Sequence, residues 1–240
     1  MRLAILSDIH GNNEALEKVV LDIEKNDIDG VVFLGDLVMK GPNPMEVYES
    51  LKKLKPICWL KGNTDLWLSD TRTENESSCR DLGEIELYRN FCLERITSNS
   101  IDFILNCPEK QSVNIGKINM LCVHGSPRSI VEVLSPSMNL EEVFEDLEED
   151  IILCGHSHIP FLKKVGKKIL FNPGSVGSPY DGNPSASYGV MEIKNDEVYF
   201  NIRRVIYPID KLIKSAFALT FPSYEDYGYF IKKGIKYRKD

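Results

Sequence analysis

Short apolar runs alternate with helical periodicity along this chain, and five of the runs lead into a polar, ligand-type residue; no other feature constrains the fold as tightly. Residues 2–7 (RLAILS) read as a strand, and Ala15, Leu16, Val19, Val20 and Ile23 then recur at helical spacing over 13–25. The cycle repeats with a strand at 31–35, a helix from about 44 to 54 and a strand at 56–60. Strands that alternate with helices in this way predict βαβ units and a parallel sheet.

The register changes after Asn63. Residues 64–110 carry no strong strand, but Leu82, Ile85, Tyr88, Phe91, Cys92 and Ile96 form one amphipathic face behind the polar stretch TRTENESS, so a helical insertion is expected there, beside the site. Runs at 111–115 and 118–123 predict a hairpin around Gly116, and 151–154 predicts a buried strand after an acidic helix at 139–148. Runs at 161–165, 168–171, 188–193 and 197–205, joined by turns at 165–167 and 194–197, predict antiparallel strands of a second sheet. From Pro208 two short helices should pack on the outside, ending in a solvated basic tail, IKKGIKYRKD. EEVFEDLEED at 141–150 reads as a solvated face, not a cation site. The 240 residues fit one domain with a proper core.

Composition excludes some partners. A net charge of −7 argues against nucleic-acid polymers, which are usually bound by a basic face, yet leaves room for a small anion held by local positive charge. Cys58, Cys79, Cys92, Cys107, Cys122 and Cys154 form no CxxC pair and read as buried free thiols of a reducing compartment. No apolar stretch suits a signal peptide or a span of ~20 residues, so a cytoplasmic protein without a membrane partner is expected.

The polar ends of the runs carry the chemistry. All four histidines lie in Asp8-Ile9-His10, Val123-His124-Gly125 or Gly155-His156-Ser157-His158, and the same pattern delivers Asp36 after VVFLG and Asn63 after ICWLKG. Loops leaving the carboxyl ends of strands in an open α/β sheet converge on one crevice. A lone buried histidine is more often a satisfied core group, and Asn63 alone could cap a helix; Asp36, however, would be costly to bury without a counter-charge. Seven such residues suffice for two metal ions sharing one carboxylate, and the Asp, His and Asn donors suit Mn, Fe or Zn. Two divalent ions, two aspartates and one hydroxide leave about +1, which favours a phosphate. Glycines 35, 41, 62, 125, 155, 174 and 177 let the backbone pass close or take positive φ.

These motifs, in this order, resemble the calcineurin-like metallophosphoesterase superfamily: D-x-H at Asp8 and His10, G-D-x(n)-G at Gly35, Asp36 and Gly41, G-N at Gly62 and Asn63, H-G at His124 and Gly125, and G-H-x-H at Gly155, His156 and His158. NPGSVGSPYDGNPSASYGVMEI at 172–193 is similar to the NPGSVG segment of the small bacterial and archaeal members, which include phosphodiesterases and diadenosine tetraphosphate hydrolases. The resemblance implies a four-layer αββα sandwich of two mixed β-sheets flanked by helices. It further implies one metal on Asp8, His10, Asp36 and His158 and another on Asp36, Asn63, His124 and His156, with Asp36 bridging. Two divalent ions are the implied cofactors, Mn first, with Fe, Zn, Co or Ni as alternatives. Asp36, Asn63 and His124 become catalytic candidates in the in-line attack of a metal-bridging hydroxide on small phosphodiesters or phosphoanhydrides, nucleotides among them.

Two departures narrow this reading. Many members have histidine after the G-N pair, where it protonates the leaving oxygen, whereas this chain has Thr64, a poor acid at neutral pH; easily leaving groups are expected to be cleaved best. Where relatives place arginine near NPGSVG, this chain holds Tyr180 and Ser185, so a phosphate contact must come from elsewhere. Thr64 and Asp65 are candidate substrate contacts. Asn12 is another, with a helix N-cap as its alternative. Trp67, Tyr180 and the C-terminal aromatics could stack a nucleobase or simply pack. The competing functions are a phosphomonoesterase or protein phosphatase, and a non-catalytic scaffold, from which lost ligands would be expected; none is missing here. The 82–96 face and the C-terminal helices are candidate homo-oligomer surfaces.

Overall fold

The structure, a computed structural model, describes residues 1–69 and 82–236. Strand β1 (Arg2–Leu6), helix α1 (Asn13–Glu24), β2 (Gly30–Phe33), α2 (Pro44–Lys53) and β3 (Cys58–Trp59) realise the βαβαβ reading, with β1–β2 and β2–β3 pairing in parallel. A 3-10 turn at Asp65–Leu68 follows, then α3 (Leu82–Leu93), α4 (Ser98–Asn106), β4 (Lys110–Ile115), β5 (Ile118–Val123), α5 (Leu140–Val143) and β6 (Ile151–Leu153). The chain closes with β7 (Phe161–Val165), β8 (Lys168–Asn172), β9 (Ala186–Lys194), β10 (Glu197–Val205), α6 (Ile209–Ala218) and α7 (Tyr224–Lys233).

Two mixed five-stranded sheets result, in the orders β10-β9-β1-β2-β3 and β4-β5-β6-β8-β7. Alternation along β1 explains how they stack: Leu3 and Ile5 face the second sheet with Met120, Cys122, Leu153 and Phe171, while Ala4 and Leu6 face the helices. Both faces are apolar, so β1 reads as a continuous run and sits at the centre of its sheet. α1 places Ala15, Leu16, Val19 and Ile23 on the outer face of the first sheet, and Val143 and Phe144 cover that of the second with Leu121 and Ile152. Helices, sheet, sheet and helix form four layers. Truncating a fully buried Phe33 or Phe171 to alanine would cost about 3–5 kcal/mol.

The structure differs from the sequence reading in four places. The acidic helix expected at 139–148 is helical only over Leu140–Val143, because carboxylates crowd one another at helical spacing, and Val143 and Phe144 are buried rather than part of a solvated face. The four late strands divide: β7 and β8 join the second sheet, whereas β9 pairs antiparallel with β1 and carries β10 into the first. The apolar face at 82–96 is cut after Leu93, and a second helix starts at Ser98, where the Thr97 side chain accepts the Ser100 N–H. The basic end is no free tail up to Lys233: Ile231 is buried and α7 stops at Gly234, in the left-handed region. The stretch TRTENESS, Cys79 and the last four residues lie outside the described residues.

Cys58, Cys92, Cys107, Cys122 and Cys154 are buried free thiols. No helix among the described residues is long and apolar enough to cross a membrane.

Candidate metal centre

The loops after β1, β2, β3, β5 and β6 meet at one end of the two sheets, laced by backbone hydrogen bonds. Asp8 N–H donates to Gly35 O, His10 N–H to Asp36 O and Gly155 N–H to His124 O, at 3.0, 3.0 and 2.8 Å. Ligand atoms of Asp8, His10, Asp36 and His158 all lie within 4.8 Å of one another, and so do those of Asp36, His124 and His156. The Asn63 carboxamide oxygen lies 3.0 Å from His124 Nε2, beside the second group. All seven candidate ligands are thus brought together, and six of them are buried, with His156 half-buried.

Asp36 stands between the two groups. Its Oδ1 accepts the Thr64 N–H at 2.8 Å, which turns Oδ2 toward His10 Nε2 at 3.5 Å and His124 Nε2 at 3.4 Å. Two imidazoles are held in one tautomer from behind, because His124 Nδ1 faces Leu34 O at 2.9 Å and His158 Nδ1 faces Ser178 O. An Nδ1–H donating to a carbonyl leaves an Nε2 lone pair pointing inward. His158 Nε2 then confronts His10 Nε2 at 3.2 Å and Asp8 Oδ1 at 3.2 Å, and that Oδ1 is buried with no hydrogen-bond partner. Acceptors that converge without a donor are a donor set for a cation. The residues fit divalent metal.

Electrostatics agree. Burial pushes the Asp8 carboxyl up, but the His158 imidazole overrides it and holds Asp8 well below the ordinary carboxylate range. Asp36 is likewise lowered against its burial, by His124 and His10. Burial pulls His124 down while Asp36 raises it, to about 9, and burial with His124 lowers His156 to about 3. In the metal-free state, therefore, a proton on His124 partly neutralises Asp36, and metal would displace it. The backbone is strained here too: Asp8, His10, Asp36, His156 and His158 have φ of 55, 48, 58, 63 and 58°. Left-handed conformations at non-glycine residues cost of order 1–3 kcal/mol each and persist where surrounding structure imposes them.

The candidate substrate contacts have other placements. Asn12 caps α1 by accepting the Ala15 N–H at 3.0 Å, and its Nδ2 donates to Gly177 O at 2.9 Å and to the Tyr207 hydroxyl at 3.3 Å. Asp65 lies behind Asp36: Oδ2 accepts from Asp36 N and Gly62 N, both at 2.9 Å, and Oδ1 from Leu37 N and Val38 N at 3.0 and 3.1 Å. Burial and then Asp36 push its carboxyl up to about 7, while the Gly62 and Val38 amides pull it down. Thr64 Oγ1 is buried with no hydrogen-bond partner. Trp67 is only 1% exposed, under the Lys40 ammonium at 5.7 Å, and packs rather than presenting a face for a base.

Sequence reasoning missed a supporting frame in 172–180. Asn172 Nδ2 donates to Gly155 O and Ser157 Oγ at 2.6 and 3.1 Å, and Ser175 Oγ donates to Asp8 O at 2.7 Å. Gly177 N–H reaches the same Asp8 carbonyl at 3.0 Å. The NPGSVG run itself was the available signal, since its small and polar residues suit close backbone contacts such as those of Ser175 and Gly177 with Asp8 O. Lys40, whose charge adds to burial in lowering His10 and adds to His124 and His10 in lowering Asp36, was also missed.

A fold of this topology with this donor cluster defines the class. Over residues 1–196 the chain matches the calcineurin-like phosphoesterase superfamily domain, and it belongs to that family, whose members use divalent metals to hydrolyse phosphoesters. Among its relatives, an uncharacterized protein of Methanocaldococcus jannaschii is 32% identical over 226 residues, covering 87% of this chain and 89% of the relative. Phosphodiesterase YfcE of Escherichia coli is 26% identical over 204 residues, covering 80% and 88%. The crystal structure of a metallophosphoesterase from Sphaerobacter thermophilus superposes with a TM-score of 0.79 at 25% identity over 98% of this chain and 99% of that one. The chain is a metal-dependent phosphoester hydrolase.

Proposed function

We propose that the protein is a binuclear phosphodiesterase or phosphoanhydride hydrolase of small, nucleotide-like substrates. The observation that carries this reading is the position of Asp36 Oδ2, within 3.5 Å of the inward nitrogen of one histidine from each ligand group while Oδ1 is fixed by the Thr64 amide. Asp8, His10, Asp36 and His158 would hold one ion, and Asp36, Asn63, His124 and His156 the other. When bound, two such ions lower the pKa of a shared water and offset charge on the attacking and leaving oxygens of an in-line displacement.

The chain's own residues then decide which bonds break. His124 and His158 are oriented by backbone carbonyls at Nδ1 and would give Nε2 to metal, which would leave neither ring a nitrogen with which to protonate a leaving group. Thr64 has a buried hydroxyl that does not titrate near neutrality, and Asp65 is engaged by four backbone amides behind the site. Among the described residues, neither Thr64 nor Asp65 beside Asn63 is thus placed to protonate a poor leaving group, which favours anhydrides, aryl esters and activated diesters over alkyl monoesters. Lys40 supplies the local positive charge expected for a small anion. The similarity to phosphodiesterase YfcE supports the diesterase direction.

A metal-supplemented screen of bis-p-nitrophenyl phosphate, p-nitrophenyl phosphate, cyclic nucleotides and dinucleoside polyphosphates tests it. Diester or anhydride turnover that disappears in Asp36→Asn supports the reading; preferential monoester turnover favours the phosphomonoesterase, and no turnover with any metal favours a scaffold. Asp36 is common to both ligand groups, so its loss to a neutral isostere would affect both ions at once.

A further inference from the structure

Two rings stack with His158: the His10 ring, at 4.9 Å between centroids and 30° between planes, and the Tyr180 ring, closer and nearly parallel at 4.0 Å and 9°. Tyr180 also donates its backbone N–H to His158 O at 3.3 Å, and Ser178, two residues earlier, receives the Nδ1 proton of the same imidazole. One short segment therefore grips His158 by its carbonyl, its ring nitrogen and its ring face. His158 sits in the left-handed region at φ 58°, a conformation the backbone does not favour unaided.

We infer that Tyr180 is a positioning residue for the metal held by Asp8, His10 and His158, acting through ring stacking on His158. The inference rests on the two-ion reading above. Its physical basis is a difference between states: an imidazole that has given its Nε2 lone pair to a cation becomes electron-poor, and the electron-rich face of a phenol ring attracts it more strongly than it attracts the neutral ring. Stacking also restricts rotation about the His158 side chain, so that Nε2 stays aimed at Asp8 Oδ1 and His10 Nε2. Tyr180 is half-buried, at the rim of the site, so its removal need not disturb the core.

The role is distinct from a substrate contact, and metal affinity measured without substrate separates the two. Stacking needs the ring alone, so Tyr180→Phe should behave as wild type and Tyr180→Ala should not. Mutations behind metal-ligating histidines typically weaken binding about 10–100-fold, and the lower end is expected here because the Ser178 carbonyl remains.

The experiment is a calorimetric Mn titration of wild type, Tyr180→Ala and Tyr180→Phe, with electron paramagnetic resonance of the loaded proteins. The expected result is two ions in wild type and Tyr180→Phe, giving a spin-coupled spectrum, with one site about tenfold weaker in Tyr180→Ala and a mononuclear six-line signal at limiting Mn. Unchanged affinities and spectrum in Tyr180→Ala would overturn the inference, and so would Tyr180→Phe matching Tyr180→Ala. A wild type that binds one ion fails the two-ion reading instead. The stacking role is then decided by whether that single ion is weakened by alanine and spared by phenylalanine.

Discussion

The buried Asp65 carboxylate accepts the backbone N–H of Asp36 at 2.9 Å, holding from behind the residue that both ligand groups share. With Gly62, Leu37 and Val38 donating to the same carboxylate, Asp65 ties the loop after β2 to the loop after β3. An amide has only one accepting oxygen, so Asp65→Asn strands two of the four donors against an NH2 group. We expect a loss of about 3 kcal/mol of stability, as for charged hydrogen bonds left unmade. Urea unfolding of the metal-free protein checks it, and a loss below measurement error would deny Asp65 this role.

Gly62 is the second lever on Asp36. A Cβ there would lie 2.2 Å from Asp36 Oδ1 and 2.4 Å from Asp36 N, closer than any side chain can sit. Gly62→Ala should therefore displace the carboxylate and impair metal binding. Gly116→Ala is the control: nothing lies within 4 Å, so it should cost only the ~1–2 kcal/mol of a left-handed φ and leave metal binding intact. Equal metal affinity in both variants would contradict the account.

Thr64 predicts a steep dependence on the leaving group. Wild type should cleave aryl esters far faster than alkyl esters, and Thr64→His, once shown to fold by circular dichroism, should raise the alkyl rates selectively. General acids contribute about 10²–10⁴-fold, which sets the ceiling of the gain. Alkyl and p-nitrophenyl monoesters turning over equally fast in wild type would refute the prediction.

Away from the site, Asp22 on α1 receives Arg203 Nε and Nη2 at 2.7 and 2.9 Å and the Tyr188 hydroxyl at 2.6 Å, pinning the helix to β9 and β10. The Arg203 hydrogen bonds lower the Asp22 carboxyl below its ordinary value, against a smaller effect of burial. A lowered folded-state value means stability that is present above the unfolded carboxylate range and lost as pH falls through the folded one. Asp22→Asn should cost about 1 kcal/mol at neutral pH and flatten the acid side of the stability curve below about pH 4. An unchanged acid limb in thermal unfolding scans would show that the pair contributes nothing.

Much of the candidate site was legible because each candidate ligand motif follows an apolar run. Strand periodicity delivers Asp8, Asp36, Asn63 and His124 to the carboxyl ends of strands, and a crevice there follows from topology. The partners of β9 were not legible, since its alternation suits either sheet and only long-range pairing with β1 decides. The short α5 escaped for the opposite reason: local pattern suggested a long helix, but its charges and the burial of Phe144 ended it. Asp65 was read as a candidate substrate contact because sequence shows its adjacency to Asn63 and not the side from which it approaches, and the stacking of Tyr180 on His158, 22 residues away in the chain, had no local signal.

Whether two metal ions share Asp36 is decided by anomalous diffraction at the Mn edge from crystals grown with Mn. Two peaks about 3.5–4 Å apart are expected, with Asp36 Oδ2 between them, His10 and His158 on one side and His124 and His156 on the other. A single peak, or two peaks of which only one is bound by Asp36, would show that the carboxylate is not shared.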